Sequence, residues 1–276
     1  MSFLQCGRFK LPLDRPLVMG VVNVTPDSFS DGGKYLATDA AVAHAQRLIA
    51  EGAEIVDIGG ESSRPGAAPV GADEELARVI PVVQALRDAA VPVSVDTAKP
   101  EVMRAVLAEG AAMVNDINAL AAPGALETVA ASDCAVCLMH MQGEPRTMQG
   151  HPAYEEVVRD VKDFLSSRIA AAMHAGIGRE RIVIDPGFGF GKTVDHNLEL
   201  LRRLREFTGM GVPVLAGWSR KTSLGVLTGR PASDRLASSI AAALIAVQNG
   251  AQIVRVHDVA ATRDALAVWL AVERKY

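Results

Sequence analysis

Short apolar segments recur eight times along the sequence, and each ends in or leads to a polar residue before a helix-like segment begins. The eight segments are Leu17–Val22, Glu54–Ile58, Val93–Val95, Met113–Val114, Ala135–Met139, Arg181–Ile184, Val214–Ala216 and Ile253–Val254. Continuous apolar runs of this kind are typical of parallel strands buried on both faces. Eight such strands, each followed by a helix, predict an α/β fold of the closed (β/α)8 TIM barrel class. Active sites in this class lie at the carboxyl ends of the strands, so the polar residues there are candidate site residues.

The length and composition fit one globular barrel. The chain has 276 residues, close to the roughly 250 of a typical barrel, so we expect a single domain over residues 1–276. A short N-terminal hairpin, Phe3–Cys6 with Arg8–Leu11, is expected to close the bottom of the barrel. Hydrophobic residues make up 49% and charged residues 22%, which excludes a disordered chain. The net charge of −4 provides no electrostatic basis for general binding to nucleic acid or membranes.

The cysteines and the N-terminal segment indicate the cellular compartment. Three cysteines without a disulfide-type spacing indicate reduced thiols in a reducing compartment. Cys134 and Cys137 form a C-x-x-C inside a predicted strand, where residues three apart point to opposite faces, so buried core thiols are favoured over a metal or redox pair. Met1–Pro16 lacks a signal-peptide pattern and no apolar run has the length of a membrane span. We therefore predict a cytoplasmic location.

Capping and stop residues predict where the helices lie. Thr38 is expected to cap the first helix after the barrel begins. The predicted helices are Asp39–Ala50, Ala72–Ala89, one from Pro100, Tyr154–Ala175 as the longest, Asp195–Phe207, Ser233–Gln248 and one from near Val259.

Three long loops follow predicted strands, and long loops at this end of a barrel are usually lids or binding loops. They are Val24–Ala37, Gly59–Gly71 and Gln142–Ala153. The first could also be a plain solvated connection, but Asn23, at the strand end before it, argues against that. Its amide oxygen is a hard ligand suited to Mg²⁺. Substrate phosphates and waters would complete the octahedral coordination of that ion. In the second loop, Ser63 and Arg64 among glycines indicate an anion-binding loop, although a flexible turn with a surface arginine would look similar.

Asp185 ends a strand beneath three glycines interleaved with two phenylalanines. Its carboxylate can accept two parallel hydrogen bonds from the donor edge of a guanine-like heterocycle, although a helix cap remains the alternative. Asp96 and Asn115 end other strands and are either further site residues or structural hydrogen-bonding groups. Asp57, Asp116 and His140 could belong to the site or support it from behind, and His140 could equally be a core histidine.

The last strand presents Arg255 and His257 on one face, because strand side chains alternate with a period of two. An arginine and a histidine directed at one place favour phosphate, and phosphate sites in this fold often lie near strands seven and eight. Lys221 lies beside them on the preceding loop.

Taken together, these segments resemble the dihydropteroate synthase family over essentially the whole chain. The matching segments are Asn23–Gly33, Gly59–Gly66, Ser94–Val102, Asn115–Ile117, Asp185–Lys192, Ser219–Lys221 and Arg255–Val259. The resemblance implies a transferase of folate biosynthesis. Such an enzyme joins p-aminobenzoate to (7,8-dihydropterin-6-yl)methyl diphosphate, with release of pyrophosphate. It also implies a Mg²⁺ cofactor, a homodimer and a sulfonamide target.

The resemblance also assigns roles to residues. The pterin would be held by Asp96, Asn115, Asp185 and Lys221. The diphosphate would be held by Ser63, Arg64, Arg255 and His257, with Asn23 acting through Mg²⁺. The aminobenzoate would lie near Pro65, Phe190, Ser219, Lys221 and Thr222, with Phe29 and Asp31 of the first loop closing over the site. Ser63 stands where threonine is usual in the family, and Thr222 stands where serine is usual. Both keep the hydroxyl group, so we expect the activity to be kept and the shape of the aminobenzoate and sulfonamide pocket to differ.

Two alternatives stay open at this point. A pterin-binding methyltransferase module would need no diphosphate site, and Asn23, Arg255 and His257 argue against it. A non-catalytic relative that binds pterins or a partner protein would be expected to have lost a diphosphate or lid segment, and the sequence keeps them all.

Overall fold

The computed structural model describes residues 2–24, 34–62 and 66–273, with the side chains of the first helix described from residue 37. The strands in these ranges are β1 Phe3–Cys6, β2 Phe9–Pro12, β3 Leu17–Asn23, β4 Ile55–Gly59, β5 Val93–Asp96, β6 Met113–Asp116, β7 Ala135–Met139, β8 Ile182–Asp185, β9 Leu215–Ala216 and β10 Ile253–Val256. The α-helices are α1 Lys34–Ala50, α2 Ala72–Ala85, α3 Pro100–Ala108, α4 Ala125–Ala130, α5 Val157–His174, α6 Val194–Arg202, α7 Arg205–Thr208, α8 Thr222–Thr228, α9 Leu236–Gln248 and α10 Val259–Glu273. Single 3₁₀ turns cover Arg179–Arg181 and Ala232–Asp234.

The eight strands β3 to β10 form one parallel sheet in the order β8-β7-β6-β5-β4-β3-β10-β9. A parallel bridge between Ile184 and Val214 joins β8 to the chain entering β9, which brings the two ends of the sheet together. The strands are apolar on both faces because one face fills the barrel and the other lies under the helices. The predicted (β/α)8 barrel is confirmed.

The hairpin of β1 and β2 is antiparallel and packs against the amino-terminal end of the barrel. Leu4 and Cys6 are fully buried in one cluster with barrel-interior residues, among them Met19 and Cys137. Cys134 belongs instead to the cluster between the sheet and the outer helices. The two cysteines of the C-x-x-C motif therefore lie on opposite sides of the sheet, as period-two alternation predicts, and both are free thiols.

The longest helix, α5, covers the outer face of β7 through an apolar stripe that includes Val158, Val161 and Leu165. Truncation of a fully buried leucine such as Leu165 typically costs about 2–5 kcal/mol. The helix begins at Val157 rather than at Tyr154, because the Glu156 carboxylate caps it by accepting hydrogen bonds from the amides of residues 158 and 159. None of the described helices is both long and apolar enough to cross a bilayer.

Other helix boundaries also differ from the sequence prediction. The first helix already begins at Lys34, so Thr38 lies inside it and is not its cap. The segment predicted as one helix over Asp195–Phe207 is divided into α6 and α7. The short helices α4 and α8 were not predicted, because six or seven residues are too few for a clear helical period.

Candidate active site

Strand register places several predicted site residues at one level of the barrel. Asn23 pairs with Gly59, Gly59 with Asp96, and Asp96 with Asn115. Asp185 pairs with Met139 at the same end of the sheet. Four neighbouring strands therefore deliver an amide, a glycine, a carboxylate and a second amide side by side, which confirms that these strand ends meet at the barrel mouth.

Arg255 on β10 reaches two carboxylates on β4 and β5. Its Nε donates to Asp57 Oδ2 at 2.6 Å, and one of its terminal nitrogens donates to Asp96 Oδ2 at 3.0 Å. Asn115 Nδ2 donates to the same Asp57 oxygen at 3.1 Å. Asp57 is fully buried and lies two residues before the end of β4. Its hydrogen bonds therefore orient the side chains of Arg255 and Asn115 from inside the barrel.

Burial shifts the pKa values of the charged groups in this network, because it removes them from water. Burial raises the pKa of Asp96, and the positive charge of Arg255 opposes this shift. Lys221 lies within the same field: burial and Arg255 lower its pKa to about 8, while Asp185 and Asp96 act in the opposite direction. The site therefore holds two cations among several carboxylates. Such an arrangement can bind a ligand that carries both hydrogen-bond donors and negative charge.

Asp185 is almost completely buried and stands at the end of β8. Its Oδ1 accepts a hydrogen bond from the backbone amide of Gly187 at 2.7 Å, and burial raises its pKa. The cap of the next helix is Thr193, whose hydroxyl accepts from the His196 amide at 3.1 Å. The alternative role of Asp185 as a helix cap is therefore wrong.

Phe190 and Lys221 contact each other above these carboxylates. The Lys221 ammonium lies 4.0 Å from the centre of the Phe190 ring, a cation–π geometry. Phe190 packs with Met139 and Met148 in a small buried cluster, against which Ile117 and Met141 also lie. The sequence prediction missed this apolar wall, because a methionine at a strand end looks like any other core residue.

His257 and Ser219 form the other side of the mouth. The His257 ring lies with Nδ1 3.0 Å from Ser219 Oγ, and the His257 backbone amide donates to the same hydroxyl at 3.2 Å. Thr222 is exposed and starts α8. Arg220, which follows Ser219 in the chain, adopts a left-handed φ of +59° and forms an ion pair with Asp258 at 2.7 Å. This pair ties the loop after β9 to the end of β10, and no signal in the sequence pointed to it.

The structure shows the contacts of Asp57, Asp116 and His140, whose roles the sequence left open. Asp116 accepts the backbone amides of Asn118 and Leu120, each at 2.7 Å, and so shapes the turn after β6. Burial raises the pKa of Asp116 to about 6. His140 is a buried residue paired with Lys192 at 2.9 Å. Among the described residues, Asp57 is the one of the three whose side chain hydrogen-bonds the side chains of predicted site residues, Arg255 and Asn115.

Five predicted residues fall outside the described part of the chain. They are Phe29, Asp31, Ser63, Arg64 and Pro65. The described residue Glu61, just before the last three, is ion-paired with Lys99, which also contacts the buried carboxylate of Glu75 at 2.6 Å. The near end of the second loop is thus attached to the start of α3 and, through Lys99, to α2.

A metal at this site would depend on Asn23, which is half-buried at the end of β3. Within residues 2–24, 34–62 and 66–273, no group of three or more histidine, cysteine or acidic side chains could hold a metal ion. A single amide oxygen at the end of β3 fits a Mg²⁺ ion that is mostly coordinated by phosphate oxygens and water. The donor set does not fit a zinc site, which needs several protein ligands.

Comparisons with known proteins agree with this geometry. The family described as pterin binding enzyme matches residues 19–257. A dihydropteroate synthase of Haemophilus influenzae is 52% identical over 95% of this chain and 95% of its own length. A Xanthomonas albilineans dihydropteroate synthase solved with 4-aminobenzoic acid is 56% identical with a TM-score of 0.94, covering 100% of this chain and 99% of its own.

A further solved structure carries the reaction product. The Burkholderia cenocepacia dihydropteroate synthase complexed with 7,8-dihydropteroate is 55% identical with a TM-score of 0.90, covering 98% of this chain and 96% of its own. The chain is therefore a pterin-binding enzyme and belongs to the dihydropteroate synthase family.

Proposed function

We propose that this chain joins p-aminobenzoate to (7,8-dihydropterin-6-yl)methyl diphosphate, giving 7,8-dihydropteroate and pyrophosphate. The observation that carries the proposal is the placement of Arg255 and Lys221 among Asp96, Asn115 and Asp185 at the barrel mouth. Carboxylates and an amide suit the hydrogen-bonding edge of a pterin. The two cations suit the anionic part of the same substrate.

In this reaction the C–O bond between the pterin methylene and the diphosphate breaks, and a C–N bond to the aniline nitrogen forms. Negative charge develops on pyrophosphate and positive charge on the methylene. In this proposal Arg255 would stabilise the departing anion and the carboxylate of Asp96 would stabilise the cation, and the position of both groups at the carboxyl end of the barrel supports these roles. The aniline loses one proton after attack and is nucleophilic at neutral pH, so no protein nucleophile is required.

The pterin slot in this proposal lies between Asp185 and the Asp96–Asn115 pair. Arg255 would leave Asp96 as the pterin and diphosphate bind, because both ligand groups compete for the same partners. The contact of Asp57 with Arg255 Nε would be kept in this proposal and would limit how far the guanidinium moves. Positioning of this kind can contribute much of the rate of a two-substrate reaction.

The aminobenzoate would lie against Phe190, with Lys221, Ser219 and Thr222 around it, and the loops carrying Phe29, Asp31 and Pro65 above it. The aromatic ring of Phe190 supports this placement by offering a flat apolar surface beside a cation. Sulfonamides share the aniline and an opposed acidic group, so we expect them to compete for this place.

Asn23 and substrate phosphates would hold Mg²⁺, which when bound would neutralise negative charge on the diphosphate. Ser63, Arg64, Arg255 and His257 would serve the same diphosphate from the protein side. The strand register that places Asn23 beside Gly59 and Asp96 supports this role.

A homodimer is the assembly we propose, with contact through the helices outside the barrel. The last three helices carry large exposed apolar side chains, which are Val226 and Leu227 on α8, Leu236 and Ile245 on α9, and Val268 and Val272 on α10. Exposed apolar side chains of this size on neighbouring helices support burial against a second copy. Three buried free thiols support a reducing, cytoplasmic compartment.

The deciding experiment incubates the purified chain with dihydropterin diphosphate, p-aminobenzoate and Mg²⁺. We expect 7,8-dihydropteroate and pyrophosphate in equal amounts, with loss of turnover in a chelator and recovery on adding Mg²⁺. A methyltransferase module would bind a methylated tetrahydropterin and release no pyrophosphate. Pterin binding without product would instead identify a non-catalytic relative.

A further inference from the structure

A buried lysine outside the predicted substrate contacts holds the glycine-rich loop after β8. Lys192 is only 2% exposed. Its Nζ lies 3.0 Å from the carbonyl oxygens of Gly187 and Phe190, 3.3 Å from that of His140, and 2.9 Å from His140 Nδ1. Two of these acceptors belong to the loop, and two belong to the residue that follows β7.

The number of donors and acceptors explains this arrangement. A protonated lysine has three N–H donors, and three backbone carbonyls are within reach. His140 Nδ1 is a fourth group within reach, so the donors of Lys192 are shared among four partners. Burial and Lys192 together lower the pKa of His140 to about 3, which favours its neutral form. Burial lowers the pKa of Lys192 to about 7, and its neutral form would still keep two donors.

The loop lies so close to the neighbouring chain that side chains are excluded. A Cβ at Gly187, where φ is +73°, would lie 1.8 Å from the His140 carbonyl oxygen. A Cβ at Gly191, where φ is +61°, would lie 2.2 Å from the carbonyl oxygen of Gln142. Close backbone approach leaves carbonyl groups that need buried donors, and Lys192 supplies them from a single side chain.

This contact fixes the parts of the loop that face the site. Phe190 has its carbonyl on Lys192 and its ring 4.0 Å from the Lys221 ammonium. Phe188, two residues earlier, packs on Trp218 with ring centres 4.9 Å apart. A displacement of the loop would therefore move Phe190 and change the surroundings of Trp218.

We propose that Lys192 is a positioning residue for the second substrate: by holding the carbonyls of residues 187 and 190 against the end of β7, it sets Phe190 where the aminobenzoate ring binds. This inference rests on the proposed function, because it assumes that aminobenzoate lies at Phe190. Lys192 touches neither substrate in this proposal and acts only through the loop. Of the pterin contacts, Asp96 and Asn115 lie on other strands, and Asp185 meets the loop only through the Gly187 amide, so we expect the effect on the pterin to be the smaller one.

The test is the variant Lys192→Met, which keeps an unbranched side chain one atom shorter and removes the donors. We expect KM for p-aminobenzoate to rise by about tenfold or more, while the Kd of the pterin diphosphate, measured by calorimetry, changes by less than about threefold. The near-ultraviolet circular dichroism of the chain should change as well, because Trp218 contributes to it, and in a Trp269→Phe background the change should remain. Equal losses for both substrates, or an unchanged KM for aminobenzoate, would overturn the proposal.

His140→Phe separates positioning from proton transfer. This variant keeps a ring against Phe164, whose centre is 4.9 Å away, and leaves Lys192 its three carbonyls. We expect KM values within about threefold of wild type. A loss as large as that of Lys192→Met would mean that the pair acts as a unit and would overturn the assignment to Lys192 alone.

Two further variants complete the experiment, one as a control for the loss of a lysine and one as a replacement for Lys192→Met. Lys162→Met on α5 removes a partly exposed lysine paired with Glu206 at 3.5 Å and should leave both constants unchanged. If Lys192→Met does not fold, Lys192→Gln, which retains two N–H donors, is judged by the same two constants. A wild-type chain that forms no dihydropteroate contradicts the proposed function, whereas an active wild type with an unaltered variant contradicts only the role of Lys192.

Discussion

Asp57 Oδ2 receives hydrogen bonds from both Arg255 Nε, at 2.6 Å, and Asn115 Nδ2, at 3.1 Å. One oxygen of a fully buried carboxylate thus orients a residue proposed to bind the diphosphate and a residue proposed to bind the pterin. The two halves of one substrate would be recognised by groups that share a single support below the strand ends.

Asp57→Asn should weaken binding of pyrophosphate and of a plain pterin together. The amide keeps the shape of the side chain but loses the charge that holds Arg255, so we expect a loss of about 1–3 kcal/mol for each ligand. Calorimetric titration with each ligand measures this. Asp133→Asn, which alters an exposed carboxylate at the opposite end of the barrel, is the matched control. A loss confined to one ligand would show that Asp57 does not support both.

Asp185→Asn should abolish tight pterin binding without unfolding the chain. The amide oxygen can still accept from Gly187, so the loop keeps its anchor, but an N–H now faces the donors of the pterin. The unsatisfied pairing costs roughly 1–3 kcal/mol. Unchanged affinity in calorimetry would remove Asp185 from the slot. Asp195→Asn, at the exposed start of α6, controls for the lost charge.

Arg255→Ala should weaken binding of pyrophosphate and the diphosphate substrate more than binding of the plain pterin. The guanidinium is the group with the donors and charge for phosphate oxygens, whereas the pterin has other partners. Because Asp57 and Asp96 lose their counter-charge, a thermal melt must accompany the titrations. Equal losses for both kinds of ligand would indicate a general defect.

The pH profile of kcat/KM for the diphosphate substrate should fall as the pH rises through about 8. Lys221 carries its charge below that pH and loses it above, because burial and Arg255 lower its pKa to about 8. The kcat/KM profile reports groups of the free enzyme. Lys221→Arg keeps a charge at higher pH, so its descending limb should move upward even if its activity is lower. An unmoved limb would assign the titration to another group.

Deletion of the first-loop tip, Ser28 to Asp31, should slow product formation far more than it weakens pterin binding. These residues lie outside the described part of the chain, and the lid role of Phe29 and Asp31 stays a prediction. The pterin contacts at Asp96, Asn115 and Asp185 lie deeper on the strand ends. Steady-state turnover and pterin calorimetry measure the two effects. Near-normal turnover would leave the rigid strand ends as the main source of rate.

The sequence alone was enough for the barrel and for most of the residues at its mouth. Buried parallel strands are apolar throughout, so a polar residue at the end of such a run is conspicuous. Asn23, Asp96 and Asp185 were found in this way, and the hairpin of β1 and β2 followed from its turn. Helix boundaries were less certain: α1 begins before its predicted cap, and the short helices α4 and α8 carry too few residues to show a period.

What the tertiary structure decided is which of these residues contact one another. Asp57 lies 198 positions from Arg255 in the chain, and no local pattern couples them. Lys192 looks like an ordinary basic residue after a glycine-rich loop, yet it is buried against His140, 52 residues away. Local composition and periodicity specify strands, helices and exposed strand ends. The pairing of buried charges depends on barrel closure, because only closure brings distant strands near enough to share a hydrogen bond.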